Sequence, residues 1–375
     1  MSIPTDLRRN NFDLLRLLAA TQVAVIHGAE HLHLPGQEDN WIIKLLWMFP
    51  GVPIFFAISG FLISWSFERN PNPKQYFWNR AIRIYPGLWT CLAVSIVAVL
   101  IFGSVSWPIN EVVPWLAAQL TVGQFYNPPF LREFGLGALN GSLWTIPIEM
   151  QFYIAIPILY AVFGLLKHKR NAALVILFFI ALAINQYYVT EREALDEFTA
   201  GKLFGVTLFP YIYYFLFGIL IQRNFTLIYR AFVGCALYWL IGFLILQFAL
   251  QALGWNVTGN YMNPISGVVL SRLTISAAYT VPKVSDLVLR RTDISYGMYI
   301  YHMVIINVMI EHELVGKWRY LWLALGCTTT IGLLSWFIVE RNAMRLKKSP
   351  LRRIDIDAET KPVPITSPPH EAEAN

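Results

Sequence analysis

Arg16 and His27 stand eleven positions apart inside one apolar, helix-length run, FDLLRLLAATQVAVIHGAEH (12–31). At ~100° per residue that interval is about three turns plus ~20°, so both side chains share a face, roughly 16 Å apart along the axis. Asp13 falls within ~60° of Arg16 on the same side. Placing such groups in hydrocarbon costs on the order of 2.5–3.5 kcal/mol or more apiece, so they belong in cavities or against one another. An imidazole can take a proton from a hydroxyl at neutral pH. A guanidinium can hold a phosphate or a developing oxyanion. The competing reading is structural: an Arg–Asp pair near one end and a hydrogen-bonded core histidine.

Further along, YFWNRAIRIYP (76–86) places Arg80 and Arg83 three apart on one helix face, a spacing suited to clamping phosphate oxygens or to anchoring against lipid phosphates. Pro86 is expected to bend that span. NGSLWTIPIEMQFY (140–153) puts Glu149 about two turns into a span, with Pro147 freeing backbone groups for other partners. Glu149 could orient an imidazole, hold a substrate hydroxyl, or pair with Arg16 or Arg272. ISYGMYIYHMVII (294–306) holds His302 near mid-span, flanked by Tyr296, Tyr299 and Tyr301. Ser59 and Gly60 of GVPIFFAISGF (51–61) read as close helix packing. Cys91, Cys235 and Cys327 lie in apolar runs with no metal-ligand spacing, so no metal is expected.

These residues need helices in a membrane to hold them. The 375-residue chain is 56% hydrophobic and only 14% charged, with a mean hydropathy of +0.49, against about 25% charged residues in ordinary soluble domains. Ten apolar segments read as spans: 12–30, 45–66, 80–102, 143–165, 172–189, 203–221, 231–253, 262–281, 294–311 and 319–339. An eleventh, 112–126, is short, carries Pro114, and is read as re-entrant or interfacial. On that basis one side of the membrane collects 21 of the 29 Lys and Arg residues and the other side six, which places both termini in the cytoplasm. The pI of about 9.1 therefore reflects membrane topology rather than nucleic-acid binding. The expected organisation is an all-α polytopic membrane domain over 1–344 and a cytoplasmic, disordered tail over 345–375. Arg80 and Arg83 then lie toward the cytoplasm, and His27 and Glu149 toward the outer half.

FDLLRLLAATQVAVIH with its Arg-x10-His spacing, GVPIFFAISGFLI, the Arg-x-x-Arg of NRAIRIYP, SLWTIPIEMQFY and ISYGMYIYH, in that order over roughly residues 10–340, resemble the family-3 membrane acyltransferases. That family includes bacterial O-antigen and exopolysaccharide O-acetyltransferases. The resemblance implies ten membrane helices in the bacterial inner membrane, a cytoplasmic acyl-CoA donor (acetyl-CoA first), and a sugar hydroxyl of a cell-surface glycan or lipid-linked precursor as acceptor. It implies that His27 is the catalytic histidine with Arg16 as its partner. Arg80 and Arg83 would handle acyl-CoA, and Glu149 would be a further acidic site residue. Asp13, His302 and Tyr299 are additional candidates. Some members append an extracytoplasmic hydrolase-like domain. The present chain is expected to act without one, or to hand its acyl group to a separate extracytoplasmic protein. The alternative function is a proton-coupled secondary transporter, which would use the same intramembrane Arg, His and Glu.

Overall fold

Proline, asparagine and glycine decide where the helices start and stop. The computed structural model describes residues 9–166, 169–290 and 292–347, and among these the extended regular elements are all helical. They are α1 (Phe12–His31), α2 (Trp41–Met48), α3 (Gly51–Arg69), α4 (Pro73–Phe102), α5 (Ile109–Leu120), α6 (Thr145–Leu166), α7 (Arg170–Thr190), α8 (Arg192–Asp196), α9 (Thr199–Gly205), α10 (Ile212–Ile228), α11 (Ala236–Ala252), α12 (Pro264–Ala278), α13 (Val284–Leu289), α14 (Ser295–Glu311), α15 (Trp318–Ser335) and α16 (Arg341–Met344). A π-helical turn, Trp336–Glu340, joins the last two. Asn40, Asn72 and Asn263 cap α2, α4 and α12 by accepting first-turn N–H groups. Of the tail expected over 345–375, residues 345–347 are described and follow α16 as a turn, while the residues beyond Lys347, and residues 167 and 168 of the basic Lys167–Arg170 connection, lie outside the described residues.

Among the described residues, six stretches are long and apolar enough to cross a membrane: Phe12–His31, Trp41–Arg69, Pro73–Phe102, Thr145–Leu166, Arg170–Thr190 and Trp318–Met344. The protein is thus a multi-pass, all-helical membrane protein. α10 and α11 add a seventh span only if taken together, and they meet at 101°, with Gly234 at the corner in the left-handed region, φ 75°. α12 and α14, at 15 and 17 residues, are shorter than the ~20 residues a ~30 Å hydrocarbon core requires of a straight span. Apolar composition marks a buried helix as readily as a spanning one, so the ten segments read from sequence each contain helix without each reaching spanning length. α5 has 12 residues, too short to cross at ~1.5 Å per residue. It lies beside α4, whose Trp89 Nε1 donates to Leu120 O at 3.1 Å.

Some boundaries differ from the sequence expectation. The segment 45–66 is interrupted: α2 ends at Met48, Pro50 is extended, and α3 starts at Gly51. Buried Gln22 bridges this break, donating to Leu46 O at 2.9 Å and accepting from Gly51 N at 2.8 Å. The segment 203–221 is likewise split into α9 and α10, with Pro210 between them. α4 continues as one helix through Pro86.

The centre of the bundle is α1, α3, α10 and α14. α1 lies between α3 and α14, and α3 runs along α10. The latter contact is backbone on backbone: a Cβ on Gly60 would sit 2.3 Å from Phe215 O, and one on Gly218 2.6 Å from Ala57 O. The base of α1 is pinned by Asn11. Its N–H donates to Ala278 O (2.8 Å), its amide donates to Thr280 O and Val281 O (3.0 and 3.1 Å), and its side-chain oxygen accepts from Ser285 N (2.9 Å).

Candidate active site

The central helices line a partly open cavity of about 90 Å³. Its wall takes Arg16 from α1; Phe55, Phe56 and Ser59 from α3; Arg80 and Arg83 from α4; Thr145, Glu149 and Tyr153 from α6; and Ser295, Tyr296 and Tyr299 from α14. Residues more than 270 positions apart in sequence thus face one space.

One end of the cavity is cationic. Arg83 donates to Asp293 at 2.6 Å, and both side chains are largely buried. Burial alone would push the Asp293 carboxyl up; Arg83, then Arg16, outweigh it and hold the group down at about 2. Asp293 is fixed in turn by Ser295, whose hydroxyl donates to it at 2.6 Å and whose N–H donates at 3.2 Å. Arg80 is different. Its one polar partner among the described residues is Ser66 Oγ at 3.3 Å; its Nε is buried without an acceptor, and its guanidinium stacks on the rings of Tyr76 and Tyr153. The two arginines that sequence treats as equivalent therefore differ: Arg83 is neutralised and Arg80 is not. Arg16 meets Asp13 at 3.5 Å, a loose pair with Asp13 mostly exposed.

Behind Tyr299 of the cavity wall lie two imidazoles, neither of them part of the lining. His302 is buried, and His27 is half-buried. Nδ1 of His302 lies 2.7 Å from Tyr299 O, and Nε2 of His302 lies 2.9 Å from Nδ1 of His27. A carbonyl oxygen only accepts, so the bonding partners assign the proton of His302 to Nδ1. Its Nε2 then offers a lone pair, and His27 donates from Nδ1. This leaves Nε2 of His27 as the basic atom. His27 is not part of the cavity wall; it joins it through His302 and the carbonyl of Tyr299, whose ring is in the wall. The Tyr299 hydroxyl donates to Ser142 O at 2.9 Å and pairs with Thr145 Oγ1 at 2.7 Å, which fixes the ring.

Glu149 is in the cavity wall. Its carboxylate accepts from Tyr153 OH at 2.5 Å and Ser59 Oγ at 3.3 Å. It does not touch His27, whose orienting partner is His302, and neither Arg16 nor Arg272 forms an ion pair with it; Arg272 stacks on Trp239 at 4.3 Å. α6 starts at Thr145, so Glu149 is just over one turn in rather than two, and Pro147 occupies a first-turn position where no intrahelical N–H partner is lost. Ser59, expected only to pack, lines the cavity, whereas Gly60 is at the helix contact.

Sequence reading missed Asp293, Ser295, Tyr153 and Glu340. Asp293 carried a signal, a single acid in the turn that opens the ISYGMYIYH helix. Glu340 did too, as an acid ending the apolar stretch SWFIVE. It is buried on the π-helical turn, accepting from Ser335 Oγ at 2.9 Å, with its second oxygen unpartnered among the described residues.

Fold and site define a membrane protein with a cavity lined by charged, hydroxyl and aromatic side chains, and comparison with known sequences supplies the class. The family described as acyltransferase domain, acyltransferase family 3, matches residues 9–340. The chain belongs to that family and is an enzyme that transfers acyl groups, which sets aside the transporter alternative. Nodulation protein 10 of Rhizobium leguminosarum bv. viciae is 32% identical over 370 residues, covering 92% of this chain and 96% of the relative. The O-acetyl transferase of Shigella phage Sf6 is 26% identical, covering 93% and 99% of the two chains. The exopolysaccharide production protein ExoZ of Rhizobium meliloti is 28% identical, covering 79% and 89%. No solved structure matches the chain.

Proposed function

We propose that this protein is an O-acyltransferase of the bacterial inner membrane that moves an acyl group, acetyl first, from cytoplasmic acyl-CoA to a sugar hydroxyl of a cell-surface glycan or its lipid-linked precursor. The observation that carries the reading is a single cavity with arginines at one end and a tautomer-locked histidine pair behind its wall. The relatives named as an O-acetyl transferase and an exopolysaccharide production protein support the acceptor class. In this reading the chain crosses ten times with both termini cytoplasmic, the short α12 and α14 included, so the arginine end opens inward. The buried, unpartnered Nε of Arg80 suits an anionic ligand.

The chemistry then follows from the geometry. Arg80 and Arg16 hold phosphates of the donor, and the thioester reaches toward His27 over a distance set by the ~16 Å rise between residues 16 and 27. Nε2 of His27 takes the proton of the acceptor hydroxyl. The hydroxyl oxygen bonds to the thioester carbonyl carbon, the C–S bond breaks, and the thiolate takes the proton back from His27. His302 accepts the hydrogen bond of the transient imidazolium through Nε2, so charge develops without any rotation of the rings. The carboxylate of Glu149, already holding two hydroxyls, is placed to bind a hydroxyl of the sugar.

The test supplies acetyl-CoA labelled in the acetyl group to membranes containing wild type or His27→Ala, following free thiol and label in glycan and lipid fractions. His27-dependent label in glycan is expected. Equal labelling by His27→Ala membranes overturns the assignment of the base, and thiol release without glycan label overturns the assignment of the acceptor.

A further inference from the structure

After α16 the chain comes back to the first half of α4, the helix that carries Arg80 and Arg83. α16 packs against the start of α4, and Trp78 Nε1 donates to Leu346 O at 3.3 Å, which fixes the backbone one residue before Lys347. Lys347 is half-buried there, close enough to Arg16, Arg80 and Arg83 to be repelled by all three. Burial, then Arg83, Arg80 and Arg16 in that order, push its ammonium down to about 7, and Asp293 only partly offsets them.

Most carboxylate oxygens nearby already have partners, the buried second oxygen of Glu340 excepted. Asp293 is taken by Arg83 and Ser295, Asp13 by Arg16, Glu340 by Ser335, and Glu149 by Tyr153 and Ser59. Among the described residues neither Arg80 nor Lys347 has a carboxylate within ion-pair distance. Two unpaired cations near the same stretch of α4 repel each other unless an anion sits between them. A nucleotide bearing several phosphates offers enough oxygens to engage both.

We propose that Lys347 is a donor-binding residue, the fourth cation of a site formed with Arg16, Arg80 and Arg83, and that it contacts a phosphate of the nucleotide portion of the thioester donor. The inference rests on the acyl-CoA reading above and adds a residue from beyond the transmembrane helices to that site.

Kinetics of the full-length protein with three donors test it: acetyl-CoA, acetyl-3′-dephospho-CoA and acetyl-pantetheine, the last lacking phosphate. Lys347→Ala should raise KM for acetyl-CoA about tenfold, the scale of one charged hydrogen bond, with kcat unchanged. It should leave acetyl-pantetheine kinetics as in wild type, and Lys347→Arg should restore the acetyl-CoA value. An unchanged KM for acetyl-CoA overturns the proposal, as does an equal rise with acetyl-pantetheine, which marks a structural role. If wild type itself uses acetyl-pantetheine as well as acetyl-CoA, the phosphate-held donor fails first, and the role of Lys347 fails with it.

Discussion

At the imidazole end, each ring nitrogen from the His302–Tyr299 contact to His27 Nδ1 has a partner, and only Nε2 of His27 is left to act. At the arginine end, Arg80 has a buried, unpartnered Nε and Lys347 stands against three like charges. One end is complete as folded; the other leaves cationic groups without carboxylate partners among the described residues. The contrast fits a division between chemistry and binding. Groups that must hold a proton in one place gain from fixed partners. Groups that must capture a ligand and release it gain from leaving some of their bonds to the ligand.

Substitutions at the two ends should separate kcat from KM. The largest effect is expected at His27: His27→Ala should lower kcat by roughly 10²–10⁴-fold, the usual contribution of a general base, with unchanged membrane abundance. Wild-type turnover by that variant would end the assignment. Next comes His302→Phe, which keeps a ring of similar shape but removes the acceptor for His27 Nδ1. A loss of about 10²-fold in kcat, with KM for donor unchanged, is the expected result, because the tautomer of His27 is then no longer fixed. A KM-only change would place His302 in binding instead. At the other end, Arg80→Ala should raise KM for acyl-CoA by about tenfold or more and spare kcat, which steady-state kinetics with varied donor would show. The smallest expected effect is that of Asp293. Its folded carboxyl titrates near 2 rather than its usual 3.8, so the stability it contributes is present above about pH 4 and is lost as pH falls toward 2. Thermal unfolding in detergent should show this acid-limb loss in wild type and not in Asp293→Asn.

Sequence periodicity was enough to place Arg16 and His27 on one face of α1, because that relation is internal to a single helix. The apolar segments were equally legible as helices. Their lengths were less so: Pro50 cuts one segment and Pro210 another, and a break of this kind depends on what satisfies the freed backbone, here Gln22. The pairing of His27 with His302 spans 275 positions and leaves no local pattern; each histidine alone reads as an ordinary buried polar residue. The same holds for Arg83 and Asp293, 210 apart. Arg80 and Arg83 looked alike in sequence because their difference lies wholly in what other helices bring to them. Of the tyrosines, Tyr299 was visible as a candidate, but not that its carbonyl matters more to the imidazole than its hydroxyl.

α1 is unbroken from Phe12 to His31 and pinned at its base by Asn11. It therefore works as a ruler whose graduations are set by the α-helical repeat. Adding or removing one residue between Arg16 and His27 would turn the imidazole by ~100° away from His302 while shifting it only ~1.5 Å along the axis. The eleven-residue interval thus fixes, through the count of residues alone, the direction in which the imidazole faces His302.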